Sequence, residues 1–136
     1  MKIAVMYFTK SGNTRKVAEA IAKPLGVQAV SIDEGLKEDV DTLFLGSSVY
    51  AGGVDKKVKE FINGLNVEVK EAVNFSTAAI IKSTFDQMKK ILSSKGIKMS
   101  DREFHCRGSF AVMHRNRPNA DDLKKAEEFA KGFIQA

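Results

Sequence analysis

The sequence is poor in the residues that build disulfides and metal sites. Its 136 residues include one cysteine, Cys106, two histidines and no tryptophan. A single cysteine excludes an internal disulfide and argues against a cysteine-ligated metal, and His105 and His114 lack the spacing of a pair of metal ligands. We therefore expect no bound metal, and the low cysteine content predicts a reducing, cytoplasmic compartment. A reactive thiol at Cys106 is an alternative to a structural role.

The sequence also lacks long hydrophobic runs and low-complexity segments. Its apolar N-terminal stretch, residues 1–8, is far too short to span a bilayer and has no small-residue cleavage site, so we predict no membrane association. With 43% hydrophobic and 29% charged residues, the chain has enough apolar material for one core without disulfides. These features predict a single domain over residues 1–136.

Acidic residues are outnumbered, and the imbalance lies in the second half of the chain. The formal net charge is +5; residues 1–68 hold 9 Lys or Arg and 9 Asp or Glu, whereas residues 69–136 hold 13 and 8. No alternation of aromatic and basic residues and no nucleic-acid motif accompanies this bias, so we predict no nucleic-acid partner. Two interpretations stay open, an anionic partner and a basic face that is merely solvated.

Strand-like and helix-like segments alternate along the whole chain. Ile3 to Phe8 is a continuous apolar run, as expected of a strand buried on both faces of a parallel sheet. Helical spacing of apolar residues follows, ending near Gly26. Repeated alternation of this kind predicts an open, mostly parallel α/β sandwich of three layers with right-handed crossovers. Further strands are predicted at 27–32, 43–45, 73–79 and from 103 to 106, and further helices around 54–65, 85–92 (stopped by Gly96) and 123–134 (capped by Asn119 or Asp121).

The loop after the first strand carries the strongest functional signal, because ligands of such sheets bind beyond the carboxyl ends of the strands. Its run Thr9-Lys10-Ser11-Gly12-Asn13-Thr14 places three hydroxyls and an amide around a glycine at the start of a helix. Helix N-terminal N–H groups and the positive end of the helix dipole suit a phosphate, and Gly12 permits close approach or a positive φ. An ordinary helix cap needs one such residue, so the four favour an anion site. The run does not match the nucleoside-triphosphate loop GxxxxGK(S/T).

The pattern TxSGxT in this position resembles the phosphate-binding loop of flavodoxins. The resemblance implies FMN as the cofactor and a flavodoxin-like three-layer sandwich, with a five-stranded parallel sheet of order 2-1-3-4-5 and helices on both faces. Stretches at 106–108 and 117–123 are similar to ones shared by short bacterial members, so the resemblance covers the whole chain. The residues that would hold the FMN phosphate are Thr9, Ser11, Gly12, Asn13 and Thr14, with Lys10 at a variable position.

A second segment, Gly46 to Gly53, resembles a flavodoxin loop that covers one face of the flavin ring. The resemblance implies ring contacts from Val49, Tyr50, Ala51 and Gly52, with Tyr50 stacked on the ring. A partly buried anchor at Tyr50 and a plain tight turn at the two residues after it stay open as alternatives.

A third segment, Ser76 to Ala79, resembles the second ring loop of the family. Here Thr77, Ala78 and Ala79 would approach the pyrimidine edge of the flavin. No aromatic residue falls in this segment. The second ring face is therefore expected to be more open than usual, or to contact one of the three residues Ile80, Ile81 and Phe85.

The function implied by the resemblance is low-potential electron transfer between redox partner proteins. The chain departs from the acidic members in its sequence pI of about 9.3 and in the stretch 82–117, which holds 9 Lys or Arg and 3 Asp or Glu. This basicity predicts partners with acidic docking faces, and a reduced flavin that is less strongly reducing, because cations stabilise its anion. An FMN-dependent oxidoreductase of the same fold, of the quinone reductase or protoporphyrinogen oxidase type, is the alternative, and the shortness of the chain favours the carrier. A flavin-free module that binds phosphate or a partner is the third possibility.

Overall fold

Strands and helices alternate along the chain in the computed structural model, which describes residues 1–9, 12–49, 54–78, 84–107 and 118–134. β1 has the predicted bounds; it lies inside the sheet between β2 and β3, and its residues Val5, Met6 and Phe8 are buried. β2 is shorter than predicted, and the crossover after it holds only a 3-10 helix, Ile32–Glu34. The elements are β1 Ile3–Phe8, α1 Asn13–Leu25, β2 Ala29–Ser31, β3 Val40–Val49, α2 Lys56–Asn63, β4 Val69–Ala78, α3 Phe85–Ser94, β5 Lys98–Met99, β6 Phe104–Arg107 and α4 Ala120–Lys131.

The sheet is parallel and has the predicted order, β2-β1-β3-β4-β5, with β6 also paired to β4. Two short strands thus fill the fifth position: β5 pairs with 71–72 of β4, and β6 pairs with 75–78. From the last pair of β5 to the first pair of β6 the chain runs five residues, from 99 to 104, whereas the paired positions in β4 are only three residues apart, 72 and 75. The extra residues interrupt the pairing. The predicted fifth strand corresponds to β6, and β5 was missed.

The third strand extends further than predicted. The resemblance predicts a loop from Gly46 onward, but Gly46, Ser47 and Ser48 lie inside β3 and pair with Phe75, Ser76 and Thr77 of β4. A Cβ at Gly46 would overlap the ring of Phe75. The glycine is therefore required by packing between neighbouring strands, and β3 extends to Val49.

Helices cover both faces of the sheet, as predicted. α1 and α4 pack together on one face, over a buried cluster that includes Phe44 and Phe75. α2 and α3 cover the other face, over a cluster that includes Leu43 and Leu45. Because successive residues of a strand point to opposite faces, neighbouring positions of β3 and β4 contribute to different clusters.

Helix ends are formed by the residues that the sequence indicated. Gly26 ends α1 with φ of +72°, and Gly96 follows α3 with φ of +77°, conformations that glycine adopts without strain. Asn119 caps α4 in a reciprocal capping box with Asp122: each side chain accepts the other residue's N–H, both at 2.9 Å.

Candidate functional site

The loop between β1 and α1 is folded around Gly12. This glycine has φ of +88° and is the N-cap residue of α1. Its N–H donates to the Thr9 hydroxyl at 2.9 Å, and its carbonyl accepts the first helical hydrogen bond, from the Lys16 N–H at 3.2 Å. Thr9 thus holds the turn that directs the chain into the helix, and the predicted positive φ is confirmed.

The N-terminus of α1 is electrostatically suited to an anion. The first N–H groups of a helix have no acceptor within the helix, and a glycine N-cap offers no side chain to cap them. The first turn contains no acidic residue, whereas Arg15 and Lys16 are basic and exposed. The dipole of the helix and these two cations all favour negative charge at this end.

A cluster of three buried hydroxyls joins this helix end to the sheet. Thr14 Oγ1 lies 2.6 Å from Ser48 Oγ in β3 and 2.9 Å from Thr77 Oγ1 in β4. All three residues are at most 3% exposed, and we call them the hydroxyl triad. Ser48 and Thr77 are register partners on the face covered by α1 and α4, so the first turn of α1 sits against the carboxyl ends of β3 and β4.

The hydroxyl triad has one proton more than its own contacts use. Each hydroxyl carries one donor proton, and two O–H···O contacts consume two of the three, whichever oxygen donates in each. One buried O–H is therefore left to donate to an acceptor outside the triad. Buried polar groups of this kind normally find a partner, so the triad supplies a donor as well as a structural link.

Two further buried hydroxyls lie on the opposite face of the same strand ends. Ser47 Oγ and Ser76 Oγ have no hydrogen-bond partner within the described ranges, although each residue is only 1% exposed. The two serines are register partners, in line with Phe8 on the face covered by α2 and α3. Leaving such a group without a partner costs about 1–3 kcal/mol, which marks this point as one where a ligand or another part of the chain supplies hydrogen bonds.

The predicted site residues fall into two groups. Four of the predicted phosphate-loop residues, Thr9, Gly12, Asn13 and Thr14, lie together at the start of α1, where Asn13 is buried. Of the predicted ring residues, Thr77 belongs to the hydroxyl triad and the last register pair of β3 and β4 is formed by Val49 and Ala78. The remaining predictions lie outside the described residues: Ser11, Tyr50, Ala51, Gly52 and Ala79.

The sequence places Ser47, Ser48 and Ser76 within the predicted ring loops, 46–53 and 76–79, but predicts no contact from their side chains. A signal was present, because each predicted ring loop contains two consecutive hydroxyl residues, 47–48 in the first and 76–77 in the second. The repetition indicates matched positions on two strands, but recognising it requires the register between β3 and β4. Cys106 is also close by: it pairs with Thr77 in the sheet and is half-buried.

The residues that flank 50–53 and 79–83 are tied to the framework. These two stretches lie outside the described residues; they follow β3 and β4 and contain the predicted ring contacts Tyr50, Ala51, Gly52 and Ala79, and we call them the ring segments. After the first segment, the Val54 N–H donates to Gln87 Oε1 of α3 at 2.8 Å. After the second, the Thr84 hydroxyl lies 3.1 Å from Nδ2 of Asn74, a buried residue of β4 that also donates to Glu103 Oε2 at 3.1 Å. The residues before and after each ring segment are therefore fixed by contacts with the rest of the fold.

Charge is unevenly distributed around these residues. The three acidic residues of the stretch 82–117, Asp86, Asp101 and Glu103, all line one cleft of about 480 Å³ beside the start of α3. Exposed lysines lie on the outer surfaces of the neighbouring helices, at positions 56, 57 and 59 of α2 and at 89 and 90 of α3. The solvent-exposed surface of α2 and α3 is therefore basic, with an acidic cleft at its margin.

The described part of the chain contains no group of three or more His, Cys, Asp or Glu that could hold a metal ion. Within the same ranges, no helix is long and apolar enough to cross a membrane.

Comparison with known proteins identifies the family. A family model described as a flavodoxin domain matches residues 4–113. An uncharacterized protein of Methanocaldococcus jannaschii is 33% identical over 150 residues, covering 99% of each chain, and a flavodoxin of Aquifex aeolicus is 38% identical over 71 residues, covering 46% of this chain and 38% of that protein. A solved flavodoxin from the domain Archaea shares the fold, with a TM-score of 0.78 at 20% identity over 96% of this chain and 94% of the other. This chain belongs to the flavodoxin family.

Proposed function

We propose that this protein binds FMN and carries electrons between redox partner proteins. Family membership implies a flavin, generally FMN, which accepts and releases electrons singly or in pairs when bound. The observation that carries the proposal is the hydroxyl triad, because it places a buried O–H donor that the contacts within the triad do not use beside a helix N-terminus that favours an anion. A ligand with a phosphate fits that combination.

The phosphate would be held by the loop between β1 and α1 without a metal. Thr9 and Gly12 shape the turn, and Thr14 offers its backbone N–H in the first turn of α1. Arg15 and Lys16 add positive charge at the same end. We include Ser11 and Asn13 in this group on the strength of the family pattern.

The flavin ring would lie over the other pair of strand-end hydroxyls. Ser47 and Ser76 present two buried oxygens without partners among the described residues, at the ends of the strands that lead into the ring segments. The pyrimidine edge of a flavin carries both hydrogen-bond donors and acceptors, which hydroxyls can match. The contacts that we propose for Tyr50, Ala51, Gly52 and Ala79 rest on the resemblance of their segments to the family.

A titration of the apoprotein with three ligands tests the cofactor assignment. FMN, riboflavin and inorganic phosphate share parts of one structure, so their affinities separate the phosphate and ring contributions. We expect FMN to bind more tightly than riboflavin, and phosphate to compete with FMN. Equal affinity for FMN and riboflavin would remove the phosphate site from the proposal, and no binding of either flavin would refute FMN as the cofactor.

The role of carrier is tested by turnover in the absence of a partner. A carrier with bound FMN is reduced slowly by a reduced nicotinamide and does not sustain steady turnover of a quinone. Sustained quinone reduction by the isolated holoprotein would instead support an FMN-dependent oxidoreductase of the same fold.

The exposed outer surface of α2 and α3, which carries lysines 56, 57, 59, 89 and 90, is the docking surface that we propose for acidic partners. Its exposed lysines follow directly on the two ring segments, since α2 begins at Lys56 and α3 at Phe85. Clustered charge of one sign accelerates encounter with a partner of opposite sign, and added salt weakens the effect.

Charge reversal on this face can be probed with hexacyanoferrate(III), a small anionic oxidant. Lys59→Glu combined with Lys90→Glu should slow oxidation of the reduced holoprotein severalfold and reduce its dependence on salt. The matched control reverses two lysines on α4, Lys124→Glu with Lys131→Glu, and should have little effect. Equal slowing by the two pairs of substitutions would show that the oxidation rate depends on the net charge of the protein and not on the surface of α2 and α3.

A further inference from the structure

Gln87 occupies a position that connects the two ring segments. It is the third residue of α3, close behind the second segment, and its side-chain carbonyl accepts the N–H of Val54, the residue that follows the first segment. The hydrogen bond is 2.8 Å long and joins residues 33 apart in sequence. One side chain thus links the far ends of both segments.

The start of α3 is itself fixed to the sheet. Asn74 lies in β4, is 1% exposed, and donates to the Thr84 hydroxyl at 3.1 Å. Thr84 is also buried, and its carbonyl accepts the N–H of Met88 at 2.8 Å in the first turn of the helix. The position of Gln87 is therefore set by the sheet through Asn74 and Thr84.

The near ends of the two segments are joined as well. Val49 and Ala78, which precede the segments, form the last register pair between β3 and β4. The sheet sets the separation of the near ends, and Gln87 sets that of the far ends. The position of Val54 depends on one side chain, because its N–H is bonded to Gln87 and not to a neighbouring strand. Gln87 is itself exposed, so it can be substituted without disturbing the core.

We propose that Gln87 is a positioning residue for the flavin ring, an inference that rests on the proposed binding of FMN. It holds Val54, the residue after 50–53, against the first turn of α3, which follows 79–83, and so sets the separation of Val54 and Thr84 that ring binding requires. When the hydrogen bond is lost, the fraction of molecules in that geometry falls, and the apparent affinity for the ring falls in proportion. The phosphate loop is held by Thr9 and the hydroxyl triad, so it is unaffected.

The experiment compares Gln87→Leu, Gln87→Glu and the wild-type protein as apoproteins titrated with FMN, riboflavin and inorganic phosphate. Leucine removes the acceptor, whereas glutamate keeps an oxygen that can accept the Val54 N–H. We expect Gln87→Leu to weaken FMN and riboflavin by the same factor, about fivefold for one hydrogen bond, with phosphate affinity unchanged, and Gln87→Glu to restore flavin affinity. Ser93→Leu, also exposed on α3, controls for a surface leucine and should bind all three ligands normally.

Each outcome separates this inference from the proposed function. If wild type binds FMN but Gln87→Leu binds it equally well, Gln87 is not a positioning residue and the cofactor assignment stands. A loss in Gln87→Leu that extends to phosphate, or that Gln87→Glu fails to restore, would show a general loss of structure and would overturn the inference. If wild type binds no flavin, the proposed function itself fails.

Discussion

Replacing Thr14 by valine tests the hydroxyl triad, because valine keeps the shape of threonine and removes only the hydroxyl. Thr14 is the shared member: its oxygen contacts both Ser48 and Thr77. The substitution removes both contacts at once and leaves two other hydroxyls buried without that partner. A single change thus removes the hydroxyl contacts that join the first turn of α1 to the ends of β3 and β4.

The expected loss follows from the number of contacts. A hydrogen bond of this type contributes about 0.5–1.5 kcal/mol, and a buried hydroxyl left without a partner costs about 1–3 kcal/mol, so each lost contact is expected to cost about 1–1.5 kcal/mol, where the two ranges overlap. Two contacts therefore predict that the free energy of unfolding falls by about 2–3 kcal/mol. For a domain of 136 residues, this corresponds to a decrease in Tm of about 7–10 °C.

Urea denaturation of Thr14→Val measures this loss, and a double-mutant cycle assigns it to the triad. In a background that already carries Ser48→Ala and Thr77→Val, removing the Thr14 hydroxyl should cost less than about 1 kcal/mol, because no contact remains to be broken. An equal cost in both backgrounds, or a loss below about 0.5 kcal/mol in the wild type, would refute the reasoning. If the spare proton of the triad donates to the FMN phosphate, Thr14→Val also weakens FMN about tenfold more than riboflavin.

Two further substitutions test the packing between β3 and β4 at Gly46 and the charged contacts of Asp41 near the start of β3. Gly46→Ala places a methyl group inside the Phe75 ring and should destabilise the fold by about 3 kcal/mol; combining it with Phe75→Leu should recover part of this in urea denaturation, and strict additivity would contradict the overlap. At Asp41, hydrogen bonding by the Lys2 backbone N–H and by Lys70 lowers the carboxyl pKa. A lowered folded-state pKa gives stabilisation that is complete above the unfolded pKa and is lost as pH falls through the folded value, so the deficit of Asp41→Asn should be present at neutral pH and shrink in acid. A deficit independent of pH would exclude this linkage.

The parts of the fold that could be predicted are those in which local pattern and tertiary environment agree. β1 is a continuous apolar run and is buried in the centre of the sheet, so its bounds follow from hydrophobicity alone. Gly12, Gly26 and Asn119 occupy their predicted turn and cap positions, because each conformation is available to few residue types.

The misassigned parts depend on contacts between distant segments. Glycine and serine are weak strand formers, so nothing local indicates that 46–48 continue β3. Pairing with 75–77 of β4 keeps them in the sheet, and the ring of Phe75 fills the space left by the missing side chain of Gly46. The hydroxyl triad was unpredictable for the same reason, because Thr14 is 34 residues from Ser48 and 63 from Thr77 in the sequence.

If FMN binds as we propose, the extension of β3 brings two adjacent serines to different parts of one ligand. Adjacent strand residues point to opposite faces, so Ser48 contacts Thr14 of α1, whereas Ser47 lies on the sheet face that α2 and α3 cover. β4 repeats the arrangement with Thr77 and Ser76 in register. A loop could not impose this alternation, but paired strands do, since a shift of one residue would exchange the two faces. The division between phosphate and ring contacts would therefore be set by the sheet, and the segments beyond it are where a carrier and an enzyme of this fold would differ.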